Sequence, residues 1–437
     1  MQHSGLSFLI VLCLLVVPAY AAGPQDTKTE KPLIDMMKEN PASIPLEPKR
    51  DDSLHAENLY RDCKDNPKRD PGPINIQKAE FGLSYQGIPT FFRAPVALCP
   101  EDLTVKVTKT VTNKDGEKVT MTEPTHVAIM GASLDMSVGQ RGTAFAPQAI
   151  RTAEIVIPWG TKVGHPTVGY IDPIINLNIV DYGDAPIDIL SQERSIISVH
   201  KMVKEIAETG TIPVIVGGDH SLMYPDVVAI TDVYGKDKVG VIHFDAHFDG
   251  IPLLFGHYLS HGAPVRRLID EGHVKGRNFV QIGLNSGKPG LDDLKWMREN
   301  QVRYHFMNEI DRDGWEQVLK RALAEATDGT EYIFVSIDTD VLDPAWAPGM
   351  GTPEPGGMTI RELFPMLRAL GVAAEIVGVD LVEVNPIVDQ TYRSKLVALR
   401  ALREVLTGIA MRKQGITDPF YVDPLWADHG VPLKRPQ

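Results

Sequence analysis

Three cysteines in 437 residues, none at the spacing of metal ligands, give the chain no cysteine-based metal site. Cys13 lies in an apolar N-terminal run and would leave with it. Cys63 and Cys99 remain, and two readings stay open for them: a disulfide tying down the N-terminal segment, or two unpaired thiols. Beyond that first run no apolar stretch reaches transmembrane length, so the rest of the chain is expected to be soluble. Positive charge is also in short supply. Against 57 Asp and Glu stand 44 Lys and Arg, a formal net charge of −13, which argues against nucleic-acid binding. With 43% apolar and 23% charged residues, the composition is that of a globular protein. No internal repeat of fixed period is visible.

The apolar run at 8–17 is too short to span a bilayer comfortably and ends at Ala19-Tyr20-Ala21, a small-x-small pattern that a signal peptidase cuts. Residues 1–21 are therefore expected to be a signal peptide and the mature chain to be secreted or periplasmic, with no membrane contact after cleavage. The lack of Lys or Arg ahead of the run leaves an uncleaved anchor as the alternative. Residues 22–124, rich in Pro and charge, form an N-terminal extension packed on the core. Its clearest element is a hairpin, 104–111 with 118–121, turning at Asp115-Gly116.

From Thr125 short β-branched runs recur at 126–130, 177–180, 212–216, 239–244, 279–283, 304–307, 332–337 and 376–381. Helical periodicity intervenes at 187–209, 291–300, 313–327, 360–370 and 392–411. Strands alternating with helices imply parallel pairing, and nearly continuous apolar strands imply cover on both faces. The expected fold is α/β: a doubly wound, mostly parallel sheet flanked by helices, at 125–413, followed by a tail at 414–437.

In such a sheet ligands bind beyond the carboxyl ends of the strands. Three of those ends carry chemistry. Gly217-Gly218-Asp219-His220-Ser221 follows the third run, Asp245-Ala246-His247-Phe248-Asp249 the fourth, and Asp338-Thr339-Asp340 the seventh. Alternate residues of an extended segment share a side, so these carboxylates and imidazoles can converge. Such a set suits divalent ions of hard-to-borderline character, and two ions can hold a bridging hydroxide that attacks at neutral pH. Without cations the crowded carboxylates would raise one another's pKa. Each motif alone is weak, since a Gly-Gly-Asp-His turn or an Asp-x-Asp pair is common; three in order at three strand ends are not.

Together with Ser336-Ile337-Asp338-Thr339-Asp340-Val341-Leu342-Asp343-Pro344, these segments resemble the three signatures of the ureohydrolase family, which contains arginases and agmatinases. The resemblance runs from about Thr125 to Lys413. Gly139-Gln140-Arg141-Gly142 and Ala146-Pro147-Gln148-Ala149-Ile150-Arg151 resemble the family's entry motif, with Ala146 where Gly is usual. It implies an arginase-like fold and two Mn²⁺ ions, with Ni²⁺ or Co²⁺ also allowed by coordination chemistry. One ion would take His220, Asp245, Asp249 and Asp338; the other would take Asp245, His247, Asp338 and Asp340. Asp249 would also accept a hydrogen bond from the bridging hydroxide. Ser260-His261-Gly262-Ala263-Pro264 is similar to the segment bearing a proton-shuttle histidine, so His261 is the candidate acid, with helix capping and the neighbouring His257 as competing readings. Val379-Asp380-Leu381-Val382-Glu383 resembles the strand end whose glutamate binds the guanidinium, a planar fork that a carboxylate matches, with a buried structural ion pair as the competing reading for Glu383. Gly351-Thr352-Pro353-Glu354-Pro355 looks like the agmatinase form of its loop, implying that Thr352 contacts substrate and Glu354 shapes the loop.

The implied reaction hydrolyses a small cationic guanidino substrate to urea and an amine, with agmatine to putrescine favoured. Guanidinobutyrate and other guanidino acids remain, because Asn285 replaces a usual Arg and the 249–261 segment is short. An inactive metal-binding protein on the same fold is the alternative of another class. Family members assemble as trimers and hexamers, so a homo-oligomer is expected.

Overall fold

A computed structural model of the chain describes residues 69–78, 86–113, 117–153 and 166–423. The expected signal peptide, Cys63, the hairpin turn at 115–116 and most of the 414–437 tail lie outside the described residues. Cys99 is disulfide-bonded.

The hairpin pairs β1 (Val107–Thr112) with β2 (Lys118–Glu123), antiparallel from Val107↔Glu123 to Thr112↔Lys118. Among the described residues only one of its faces meets protein. Val111 and Met121 are buried, and the Lys109 ammonium reaches over to the Leu177 carbonyl at 2.6 Å. The preceding segment is pinned by the buried Asp102 carboxylate, which pairs with Arg69 and accepts from the Gly72 and Leu98 amides, each at 2.8 Å.

The remaining strands are β3 (Val127–Ala132), β4 (Ile179–Asp184), β5 (Ile212–Gly217), β6 (Val239–Phe244), β7 (Phe279–Leu284), β8 (Arg303–Phe306), β9 (Tyr332–Asp338) and β10 (Ile376–Val382). They form one eight-stranded sheet in the order β4-β3-β5-β10-β9-β6-β7-β8, with every described pair parallel. All eight correspond to the apolar runs, and β3, β6, β7 and β10 are buried along their whole length because helices cover both faces. The chain builds outward to β4, crosses to lay β6, β7 and β8, then returns to insert β9 and β10 between β5 and β6. The three motif-bearing strands are thereby brought to the middle of the sheet, with only β10 among them.

The helices depart from the periodic pattern where local chemistry intervenes. The segment expected at 187–209 starts as a helix at Gln192 (Gln192–Glu208), because Ser191 caps it by accepting from the Arg194 amide at 3.3 Å. The stretch expected at 313–327 starts as a helix only at Trp315 (Trp315–Ala326), because Gly314 separates it from a further helix, Met307–Asp313. Helix Met223–Tyr234 has no counterpart in the sequence reading. It is apolar nearly all round and buried from Met223 to Thr231, so no polar face marks its period. Among the described residues no helix is long and apolar enough to cross a membrane.

Candidate metal centre

Strands β5, β10, β9 and β6 are neighbours, and their carboxyl ends supply every metal-ligand and guanidinium candidate. The turn after β5 needs its glycine: a Cβ on Gly218 would lie 1.6 Å from the Leu134 carbonyl oxygen. That close approach sets His220 at the floor of the site. Asp249 and Glu383 both hold positive φ, 47° and 62°, although neither is glycine. Such backbone costs about 1–3 kcal/mol per residue and persists where the surroundings fix it.

The six expected ligands do converge. Atoms of His220, Asp245, Asp249 and Asp338 lie within 4.8 Å of one another, and so do those of Asp245, His247 and Asp340. His220 Nδ1 stands 3.1, 3.0 and 3.0 Å from carboxylate oxygens of Asp245, Asp249 and Asp338, yet it aligns with none as a hydrogen bond. A buried nitrogen set among three carboxylates and directed at no single one fits a shared cation. His247 Nδ1 lies 3.0 Å from Asp340 and 3.5 Å from Asp245, so Asp245 serves both groups.

Groups behind these ligands fix their orientation, as is usual for metal-binding imidazoles. His220 Nε2 meets the Ser336 hydroxyl at 2.9 Å, and Ser336 in turn donates to Asp380 at 2.6 Å. The imidazole therefore carries its proton on Nε2 and leaves Nδ1 for a cation. Glu354 lies 3.5 Å from His247 Nε2, and the Thr352 hydroxyl donates to Asp340 at 3.0 Å. Thr352 and Glu354 line a pocket of about 270 Å³ together with His261, Asp249 and Lys288. His261 Nδ1 is 3.7 Å from Glu383, whose Oε1 accepts from the His220 amide at 3.0 Å and whose Oε2 has no partner. The helix beside His261 runs Pro264–Asp270 with Ala263 at its cap position and no side-chain cap, so His261 does not serve there. His257 is exposed, in a bridge with Leu254. Asn285 donates to the Pro355 carbonyl at 2.8 Å and so braces the Thr352 loop.

Ser336, Asp380, His243 and Gln281 were not singled out from the sequence. Ser336 and Asp380 stand inside the quoted motifs. His243, two residues before Asp245, shares its side of β6, and that spacing was the available signal.

Electrostatics without cations are strained. Burial and the neighbouring Asp340 and Asp245 push the Asp338 carboxyl well above its ordinary value, and burial with Asp245 raises Asp340. Burial draws His220 down, but Asp245, Asp249 and Asp338 outweigh it and hold the imidazole well above 6.5. His247 is raised in the same way by Asp340 and Asp245. Asp245 is the exception. Burial pushes it up, yet the imidazoles of His220, His243 and His247 close around it bring it well below 3.8. Above about pH 6 the raised groups decide the sign. The folded chain holds protons that the unfolded chain has released, so metal-free stability falls as pH rises. Cations replace those protons, so the melting-temperature gain on adding Mn²⁺ is expected to grow from about pH 6 to pH 8. Paired melts with and without Mn²⁺ check this, and a gain that shrinks with pH contradicts it.

The family model for the arginase family matches residues 125–408. The chain belongs to the arginase family. The mitochondrial guanidino acid hydrolase of Homo sapiens is 30% identical over 352 residues, covering 80% of this chain and 89% of that protein. The agmatinase of Chromobacterium violaceum is 33% identical over 296 residues, covering 65% and 84%. A crystal structure of Trypanosoma cruzi formiminoglutamase with Mn²⁺ superposes with a TM-score of 0.59 at 25% identity, over 66% of this chain and 94% of that one. As a member of the arginase family the chain is a hydrolase.

Proposed function

We propose that the protein hydrolyses a small linear guanidino compound to urea and an amine, over two Mn²⁺ ions held by His220, Asp245, His247, Asp249, Asp338 and Asp340. The observation that carries this reading is the convergence of all six side chains, with Asp245 common to both groups. Divalent ions bound there supply Lewis acidity and an activated water at neutral pH. Glu383 binds the guanidinium through the unpartnered Oε2, Asp249 accepts the proton of the attacking water, and His261 delivers a proton to the departing amine.

The sequence favours agmatine, but the pocket's charges support a guanidino acid ahead of it. Agmatine carries a second cation at its far end. The pocket's one carboxylate outside the metal set, Glu354, is placed against His247, while the lining's one lysine, Lys288, holds its ammonium 2.9 Å from Asp293, a partner that a substrate carboxylate would compete with. The human relative's name points the same way. Urea release should therefore be faster with 4-guanidinobutyrate or 3-guanidinopropionate than with agmatine or arginine. Lys288→Glu should shift the acid-to-agmatine ratio by up to about fivefold toward agmatine, the reach of one half-exposed ion pair. An unchanged ratio removes Lys288 from recognition, and no urea from any of the four favours the inactive metal-binding alternative.

A further inference from the structure

His243 is fully buried on β6, two residues before Asp245, and no step above uses it. Its tautomer follows from its neighbours. The Gln281 side-chain nitrogen lies 2.8 Å from the Phe248 carbonyl, which can only accept, so this end of the amide is the NH₂. The same nitrogen lies 3.1 Å from His243 Nδ1. An NH₂ only donates, so Nδ1 accepts and the ring proton of neutral His243 sits on Nε2.

That Nε2 stands 2.9 Å from Asp245 Oδ2, the oxygen that also faces His220 Nδ1 at 3.1 Å. Neither His243 Nε2 nor Asp245 Oδ2 has an aligned hydrogen bond, and both are buried. By position alone His243 could join His220 and Asp245 as a metal ligand, since the three form a third close group. A nitrogen that carries a proton cannot ligate. We propose that His243, its tautomer set by Gln281, is a positioning residue that donates to Asp245 Oδ2 and holds this shared carboxylate for the ion on the His220 side. The inference rests on the two-ion reading of the site.

Calorimetric titration of the metal-free full chain with Mn²⁺, with electron paramagnetic resonance of the same samples, tests it. The wild type should bind two ions that give the spectrum of a coupled pair. His243→Leu should weaken the His220-side ion by about 10–100-fold, the usual effect of losing a group behind a metal ligand, and the single-ion spectrum should dominate at low Mn²⁺. His243→Gln, whose amide nitrogen reaches the place of Nε2, should recover most of the affinity. Gln281→Leu should weaken the same ion while His243 stays in place, with unchanged near-ultraviolet circular dichroism showing that packing survives. Wild-type affinity in His243→Leu overturns the proposal. So does a His243→Gln variant no better than Leu, which would assign the effect to packing. A wild type that binds fewer than two ions overturns the two-ion reading itself, and this proposal with it.

Discussion

Asp338→Asn is expected to give a folded protein that has lost urea release and, when metal-free, melts at a higher temperature than the wild type. The two effects share one cause. Asp338 is fully buried between Asp245 and Asp340, and their repulsion together with burial holds its carboxyl well above the ordinary range. An amide removes the charge that those neighbours oppose. It keeps Oδ1, which accepts the Asp340 amide at 2.8 Å, so the turn after β9 survives. The same change removes a carboxylate that the two-ion reading shares between both cations. Losing a group behind a ligand costs roughly 10–100-fold in metal affinity or activity, and a shared ligand should exceed the upper end of that range. Urea release at saturating Mn²⁺ should therefore fall by more than about 100-fold, with fewer than two ions bound per chain. Activity within tenfold of wild type, or a lower metal-free melting temperature, would sink this account. Opposite signs for stability and activity are the signature of a site built for cations.

The strand ends were legible because an apolar run that stops at Asp or His marks both the end of a strand and the start of a site. Period-two spacing then put Asp245, His247 and Asp249 together without knowledge of the sheet. What the sequence could not convey was adjacency. Nothing local in β9 or β10 encodes their insertion between β5 and β6, since pairing across 93 residues (Val239 with Tyr332) and 165 residues (Val214 with Val379) depends on packing of the whole sheet. The supporting residues were hidden for a different reason. His243 and Ser336 lie inside strands among apolar neighbours, and a polar residue there has no sequence feature that names its partner. Glu354 was read as shaping its loop; only the fold places it opposite His247. The helix Met223–Tyr234 was missed because burial of every residue from Met223 to Thr231 erases the amphipathic period by which helices are recognised.

Glu383→Gln should produce the complementary outcome, in which both ions stay bound and substrate recognition fails. Glu383 is buried at the end of β10, and a Cβ on Gly351 would come within 2.1 Å of its Oε2, so the bare glycine is what leaves room for the carboxylate. One oxygen is committed to the His220 amide and the other has no partner. Burial, with Asp219 next in effect, holds the carboxyl well above 4.5. Arrival of a guanidinium reverses this by favouring the anion, a gain that a neutral amide cannot supply. Glutamine keeps an acceptor for the His220 amide, so the turn after β5 should hold its shape and the metal content should be unchanged. Removing one member of a buried ion pair costs about 3–5 kcal/mol, which places the fall in kcat/KM at roughly 10²–10⁴-fold. Because the lost interaction is already made with bound substrate, much of that fall should appear in KM. If metal is lost together with activity, Glu383 is a structural support of the His220 turn; if kcat/KM stays within about threefold of wild type, the guanidinium binds elsewhere.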